Sequence, residues 1–157
     1  MKKFLFLLAF IIGSSANSSF AEGWTPSRTL LQAVRSVESS NGRFVYGDNG
    51  KSLGAFQISQ AAWADVNEYR KGKRLKTYEY QQHVYNAYIN QVYAADYLTL
   101  LHGHLTHELK KEPSPQQLYA AYNMGLSNFA DCHYDLRRVN KITAERCQAI
   151  GLIVKAN

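Results

Sequence analysis

The 157-residue chain has no apolar run long enough to cross a bilayer; the longest, residues 4–12, has nine residues. A spanning helix needs about 20. Cysteine is scarce as well. None follows the apolar run, so a lipid-modified N-terminus is not indicated; the only two, Cys132 and Cys147, lie near the other end. There is no internal repeat, no low-complexity tract and no linker-like stretch. One domain is therefore expected. Neither sign of charge dominates strongly, which speaks against a nucleic-acid partner.

What is present begins with "MKKFLFLLAFIIGSSANSSFAEGW". Lys2 and Lys3 precede the apolar run, and Ser19-Phe20-Ala21 offers small residues at a cleavage site. This pattern predicts a secretory signal peptide over residues 1–21. The domain then spans residues 22–157, about 136 residues, enough for a real core. Without Lys2 and Lys3, 16 basic residues face 12 acidic ones, a net +4. Such a surplus suits an anionic extracytoplasmic partner such as a cell wall. Export also predicts that Cys132 and Cys147 are joined in a disulfide, which in the chain-entropy model contributes on the order of 3 kcal/mol.

Helical signals dominate the domain. In "TPSRTLLQAVRSVESSNG", Thr25 is a candidate N-cap, Pro26 a first helical residue and Gly42 a stop. Residues 43–58 lose the helical period and carry a Gly47–Gly50 turn cluster, which predicts a loop or small hairpin. A helix restarts at Ser59 and stops at Gly72, with Ala62, Val66 and Tyr69 on one face. The basic stretch 71–76 links it to a helical block over 77–111, broken near Asn86. Ser114 and Pro115 open a further helix that ends near Gly125, and two short helices are expected around the cysteines. The fold class is mostly α with a small β element.

Glu38 and Asp48 lie ten residues apart in a segment otherwise poor in charge. Leu31 and Val34 precede Glu38 by seven and four residues, spacings that stack on one helix face. Glu38 therefore projects from the apolar stripe near the helix end. An apolar setting favours the neutral form of a carboxyl group, which suits a proton donor near neutral pH. A glutamate at the edge of the stripe that reaches into water is the plainer alternative.

Three segments then carry a resemblance. "ESSNGRFVYGDNGKSLGAFQI" resembles the Glu-Ser … Gly-x-x-Gln-Ile signature of soluble-type lytic transglycosylases, which have a lysozyme-like (α+β) fold. "NQVYAADYLTLL" (90–101) resembles their Asn-x-x-x-(small)-x-x-Tyr-Leu-x-x-Leu helix. "LYAAYNMG" (118–125) resembles their Ala-Ala-Tyr-Asn-x-Gly motif. The resemblance implies cleavage of the β-1,4 bond between N-acetylmuramic acid and N-acetylglucosamine in peptidoglycan, with Glu38 as general acid and base. It implies pocket roles for Ser39, Gly54, Gln57, Tyr122 and Asn123. Peptidoglycan glycan strands are the implied partner, and an envelope secretion machine that needs local wall opening is a further candidate. No cofactor or metal is expected, and the protein is expected to act as a monomer in the periplasm or after secretion.

Asp48 departs from that pattern, because many members of the family carry Ser there. Invertebrate-type lysozymes have an Asp ahead of a similar Gly-x-Phe-Gln-Ile stretch, where it is a second catalytic carboxylate. A second carboxylate flanking the bond would permit hydrolysis, the muramidase outcome. Asp-Asn-Gly is also an ordinary turn, in which Asp48 would cap its own backbone. A non-catalytic glycan-binding protein is the alternative from another class, though a binder has no need of a buried proton donor. "HGHLTHE" holds His102, His104 and His107 beside Glu108 but lacks the His-Glu-x-x-His order. It reads as a solvated helix end.

Overall fold

The structure, a computed structural model, describes residues 23–47 and 50–156. The expected signal peptide and Asp48 lie outside the described residues. The order of elements is α1 (Arg28–Ser39), β1 (Tyr46–Gly47), β2 (Ser52–Leu53), β3 (Ile58–Ser59), α2 (Gln60–Gly72), α3 (Tyr80–His83), α4 (Ala87–Leu109), α5 (Pro115–Met124), α6 (Leu126–Asp131) and α7 (Lys141–Lys155). The fold is mostly helical with one three-stranded antiparallel sheet, ordered β1-β2-β3.

Side-chain caps set most helix starts. Ser59 accepts from Ala62 N, Asn86 from Ile89 N, and Ser114 from Gln117 N with the reciprocal Gln117 bond of a capping box. α1 starts later than Thr25-Pro26 suggest, because Ser27 is the residue whose hydroxyl accepts the Leu30 N–H. Ser40, Asn41 and Gly42 turn the chain through positive φ after α1. The segment that follows is two successive hairpins rather than one, with Leu53 paired to both Tyr46 and Ile58. At the other end only α6 is short; α7 runs for 15 residues from an Asn140 cap.

α4 is the spine of the core. Tyr93, Ala94, Tyr97, Leu98, Leu101 and Leu105 are buried along it, and each large apolar side chain contributes about 1.5–3 kcal/mol on burial. Trp63 of α2 stacks on Tyr93, ring centroids 3.8 Å apart, and donates to the Tyr78 carbonyl. Arg70 pairs with Asp96 across the same α2–α4 seam. α5 is buried through Leu118, Tyr119, Ala120, Ala121 and Tyr122, and packs on both α4 and α7. α7 also covers α1, so α1, α5 and α7 converge. Among the described residues no helix is long and apolar enough to cross a membrane.

The expected disulfide is absent: Cys132 and Cys147 are both free. Each thiol faces a different part of the backbone. Cys132 Sγ, just past α6, is directed at the Arg138 carbonyl, and Cys147 Sγ, on α7, at the Gln116 carbonyl of α5. The histidine cluster is likewise not a uniformly solvated end. His102 is buried, stacked 4.1 Å from Trp24 and paired with Glu112 at 2.8 Å, while His104 and His107 are exposed.

Candidate functional site

Glu38 stands in the last turn of α1, where that helix meets α5 and α7. The apolar stripe places it as its spacing predicts: its side chain is only 6 % exposed. Both carboxylate oxygens are engaged. Oε1 accepts from the Tyr119 hydroxyl at 2.8 Å and the Asn123 amide at 3.4 Å. Oε2 lies 3.5 Å from Arg146 Nη1 on α7. Tyr119 and Asn123 are four residues apart on α5 and so share one face. Asn123 is fixed in turn by Thr143, whose hydroxyl donates to Asn123 Oδ1 at 2.9 Å, and Asn140 donates to Thr143 at 3.0 Å.

A pocket of about 190 Å³ opens beside Glu38, lined by Glu38, Ser52, Gln57, Ile58, Ser59, Ala62, Tyr97, Tyr122, Asn123, Met124 and Gly125. The lining combines aromatic and apolar side chains with amides and hydroxyls. That mix suits a polar ring with apolar faces, such as a sugar. Tyr122 is anchored by its hydroxyl, which donates to the Phe56 carbonyl at 2.7 Å. Burial, and after it the charge of Glu38, hold the Tyr122 and Tyr119 hydroxyls far above the usual tyrosine range. Both therefore stay protonated, and Tyr119 remains a donor to Glu38. Tyr97 is pushed up to about 12, chiefly by burial.

Gln57 occupies the left-handed region at φ 48, which costs a non-glycine residue of order 1 kcal/mol or more. Its amide donates to the Gly54 carbonyl at 2.7 Å and to the Phe44 carbonyl at 3.3 Å. Its oxygen lies against Gly47, where a Cβ would stand only 1.8 Å away. The strained backbone thus carries a side chain that clamps the first hairpin and faces the pocket.

Of the residues singled out in the sequence, Glu38, Gln57, Tyr122 and Asn123 come together at this pocket. Ser39 and Gly54 do not line it. Ser39 is buried; its hydroxyl donates to the Ala55 carbonyl at 2.5 Å and accepts from Gly42 N at 2.8 Å, tying the end of α1 to the sheet segment. Gly54 has φ +80, and a Cβ there would meet Asn90 Nδ2 and the Val84 carbonyl at 2.5 Å. Its close approach is to the end of α3 and to α4, whose Asn90 also accepts the Phe56 N–H at 2.9 Å. Asp48 lies outside the described residues. Tyr119, Thr143 and Arg146 were not foreseen. Tyr119 was open to inference from its four-residue spacing to Asn123; nothing local marks the other two. Among the described residues no group of three or more His, Cys, Asp or Glu side chains is placed to hold a metal ion.

No model of a known protein family matches the chain, and no curated protein or solved structure is significantly similar to it.

Proposed function

We propose that the chain is an exported peptidoglycan-cleaving glycosidase of lysozyme-like fold that acts as a lytic transglycosylase. The observation that carries this reading is the shielded carboxyl of Glu38, held by Tyr119, Asn123 and Arg146 at the rim of a pocket with aromatic and amide walls. Glu38 in its protonated form donates to the glycosidic oxygen as the bond from that oxygen to C1 of the muramic sugar breaks. The substrate's N-acetyl carbonyl stabilises the electron-poor C1, so no enzyme nucleophile is required. Glu38, now a carboxylate, takes the proton of the sugar's 6-hydroxyl, and O6 closes on C1 as a 1,6-anhydro ring. The proton lost in the first half is regained in the second.

Gln57 and Asn123 supply amide contacts to the sugar and its N-acetyl group, and Tyr97 and Tyr122 supply the apolar wall. Hydrolysis with Asp48 as a second carboxylate is the competing outcome, favoured by the departure of Asp48 from the family pattern. The test is Glu38→Gln, which keeps the shape and removes the titrating proton. Release of muropeptides from purified peptidoglycan should fall by about two to four orders of magnitude, the usual worth of general acid–base catalysis. Parental turnover in a folded Gln variant would overturn the assignment.

A further inference from the structure

We infer that Arg146 is a positioning residue for Glu38, bracing the carboxylate from α7. The inference rests on the reading of Glu38 as the acid/base group. Two oxygens of one carboxylate are treated differently here. Oε1 accepts from two neutral donors, Tyr119, whose hydroxyl Arg146 also reaches, and Asn123, which lines the pocket. Oε2 meets a guanidinium at 3.5 Å, and Arg146 is not among the lining residues. The division aims one oxygen toward the pocket side and holds the other with a cation. It also makes the C-terminal helix part of the working site.

Position and charge act together. A carboxylate with 6 % exposure is poorly screened by solvent and salt, so a cation beside it favours the ionised form. That is the form left when the proton has gone to the leaving group, and Arg146 stabilises it there. The other titratable groups around Glu38 are Tyr119 and Tyr122 from α5 and Tyr97 across the pocket from α4, all of which stay neutral near pH 7. Arg35, one turn earlier on α1, has its guanidinium turned to Gly42. The sheet presents Ser52 and Gln57 to the pocket, neither of which titrates. Arg146 is itself 39 % exposed, whereas Thr143, Cys147 and Ile150 bury α7. Its replacement therefore leaves the packing of α7 in place.

The test is the titration of the Glu38 side-chain carboxyl by carbon-13 NMR in the full chain, parent against Arg146→Gln and Arg146→Lys. Removing the cation makes the carboxylate less favourable, so protonation persists to higher pH. The midpoint should rise by about one pH unit or more in the Gln variant, in keeping with an opposite charge at this range. Lys should restore at least half of the change. The alkaline limb of the pH–activity profile should move the same way, with KM little changed. A folded Gln variant whose midpoint is unmoved overturns the brace, whatever its activity. A moved midpoint supports the brace even in a parent chain that does not cut peptidoglycan, a result that overturns the proposed function alone.

Discussion

At the scale of single residues, two serine and tyrosine hydroxyls in the same corner of the molecule have opposite duties. The Tyr119 hydroxyl addresses the carboxylate of Glu38. Tyr119→Phe removes one hydrogen bond to a charged group, worth about 1.5–3 kcal/mol. Turnover on peptidoglycan should drop about ten-fold or more, and the melting temperature should fall with it; steady-state muropeptide release at a temperature where the variant is folded checks this, and unchanged turnover would contradict it. Ser39 is adjacent to Glu38 in the chain, yet its hydroxyl is spent on Ala55 and Gly42. Ser39→Ala removes the partner of the buried Ala55 carbonyl, while Gly42 N keeps its bond to the Ser39 carbonyl, and should lower unfolding free energy by about 1–3 kcal/mol. Denaturant unfolding measures that loss, and a variant as stable as the parent would refute it. The sequence placed Glu38 correctly because helix period alone decides which face a residue takes. It could not reveal Thr143 or Arg146, since contacts between α1, α5 and α7 depend on how distant helices pack rather than on any local pattern.

At the scale of elements, punctuation was readable and strand pairing was not. Ser59, Asn86 and Ser114 cap their helices as their residue types and positions suggest. Ser27 displaced Thr25 because both are capping residues and only packing chooses between them. The sheet has strands of two residues, too short to leave a period in the sequence. What holds it is its seat on α4, through Gly54 and the Asn90 bond to Phe56. Gly54→Ala places a Cβ against both Asn90 and the Val84 carbonyl at a positive φ, and should destabilise by about 2 kcal/mol or more from overpacking and backbone strain. Urea denaturation checks the figure; a midpoint equal to the parent's would show that the seat yields without cost. The thiols belong to this scale too. Burial pushes the Cys147 thiol up to about 11, so it stays protonated near neutral pH. A thiolate reagent should label Cys132 in the native protein and Cys147 only after denaturation. A denatured, unreduced chain without reactive thiols would restore the disulfide.

In the whole molecule, three helices and the sheet segment meet at the Glu38 pocket. α1 supplies the Glu38 carboxyl, α5 its hydroxyl and amide partners, α7 its cation, and the sheet segment and α2 further lining residues. The disulfide expectation came from compartment logic applied to a pair of cysteines; in the structure the two thiols face separate backbone carbonyls, Arg138 within the α6–α7 connection and Gln116 on α5. The mostly helical class with a small sheet was legible from period and turn residues, since long helices dominate the composition of the core. The outcome of the proposed reaction turns on whether O6 of the sugar or a water molecule closes on C1. Mass spectrometry of the products from purified peptidoglycan separates the two, because the anhydro product is lighter by one water. Products with 1,6-anhydro ends, retained in Asp48→Asn and lost in Glu38→Gln, are the predicted result. Free reducing ends from the parent, together with an inactive Asp48→Asn variant, would contradict the transglycosylase reading and make the chain a muramidase.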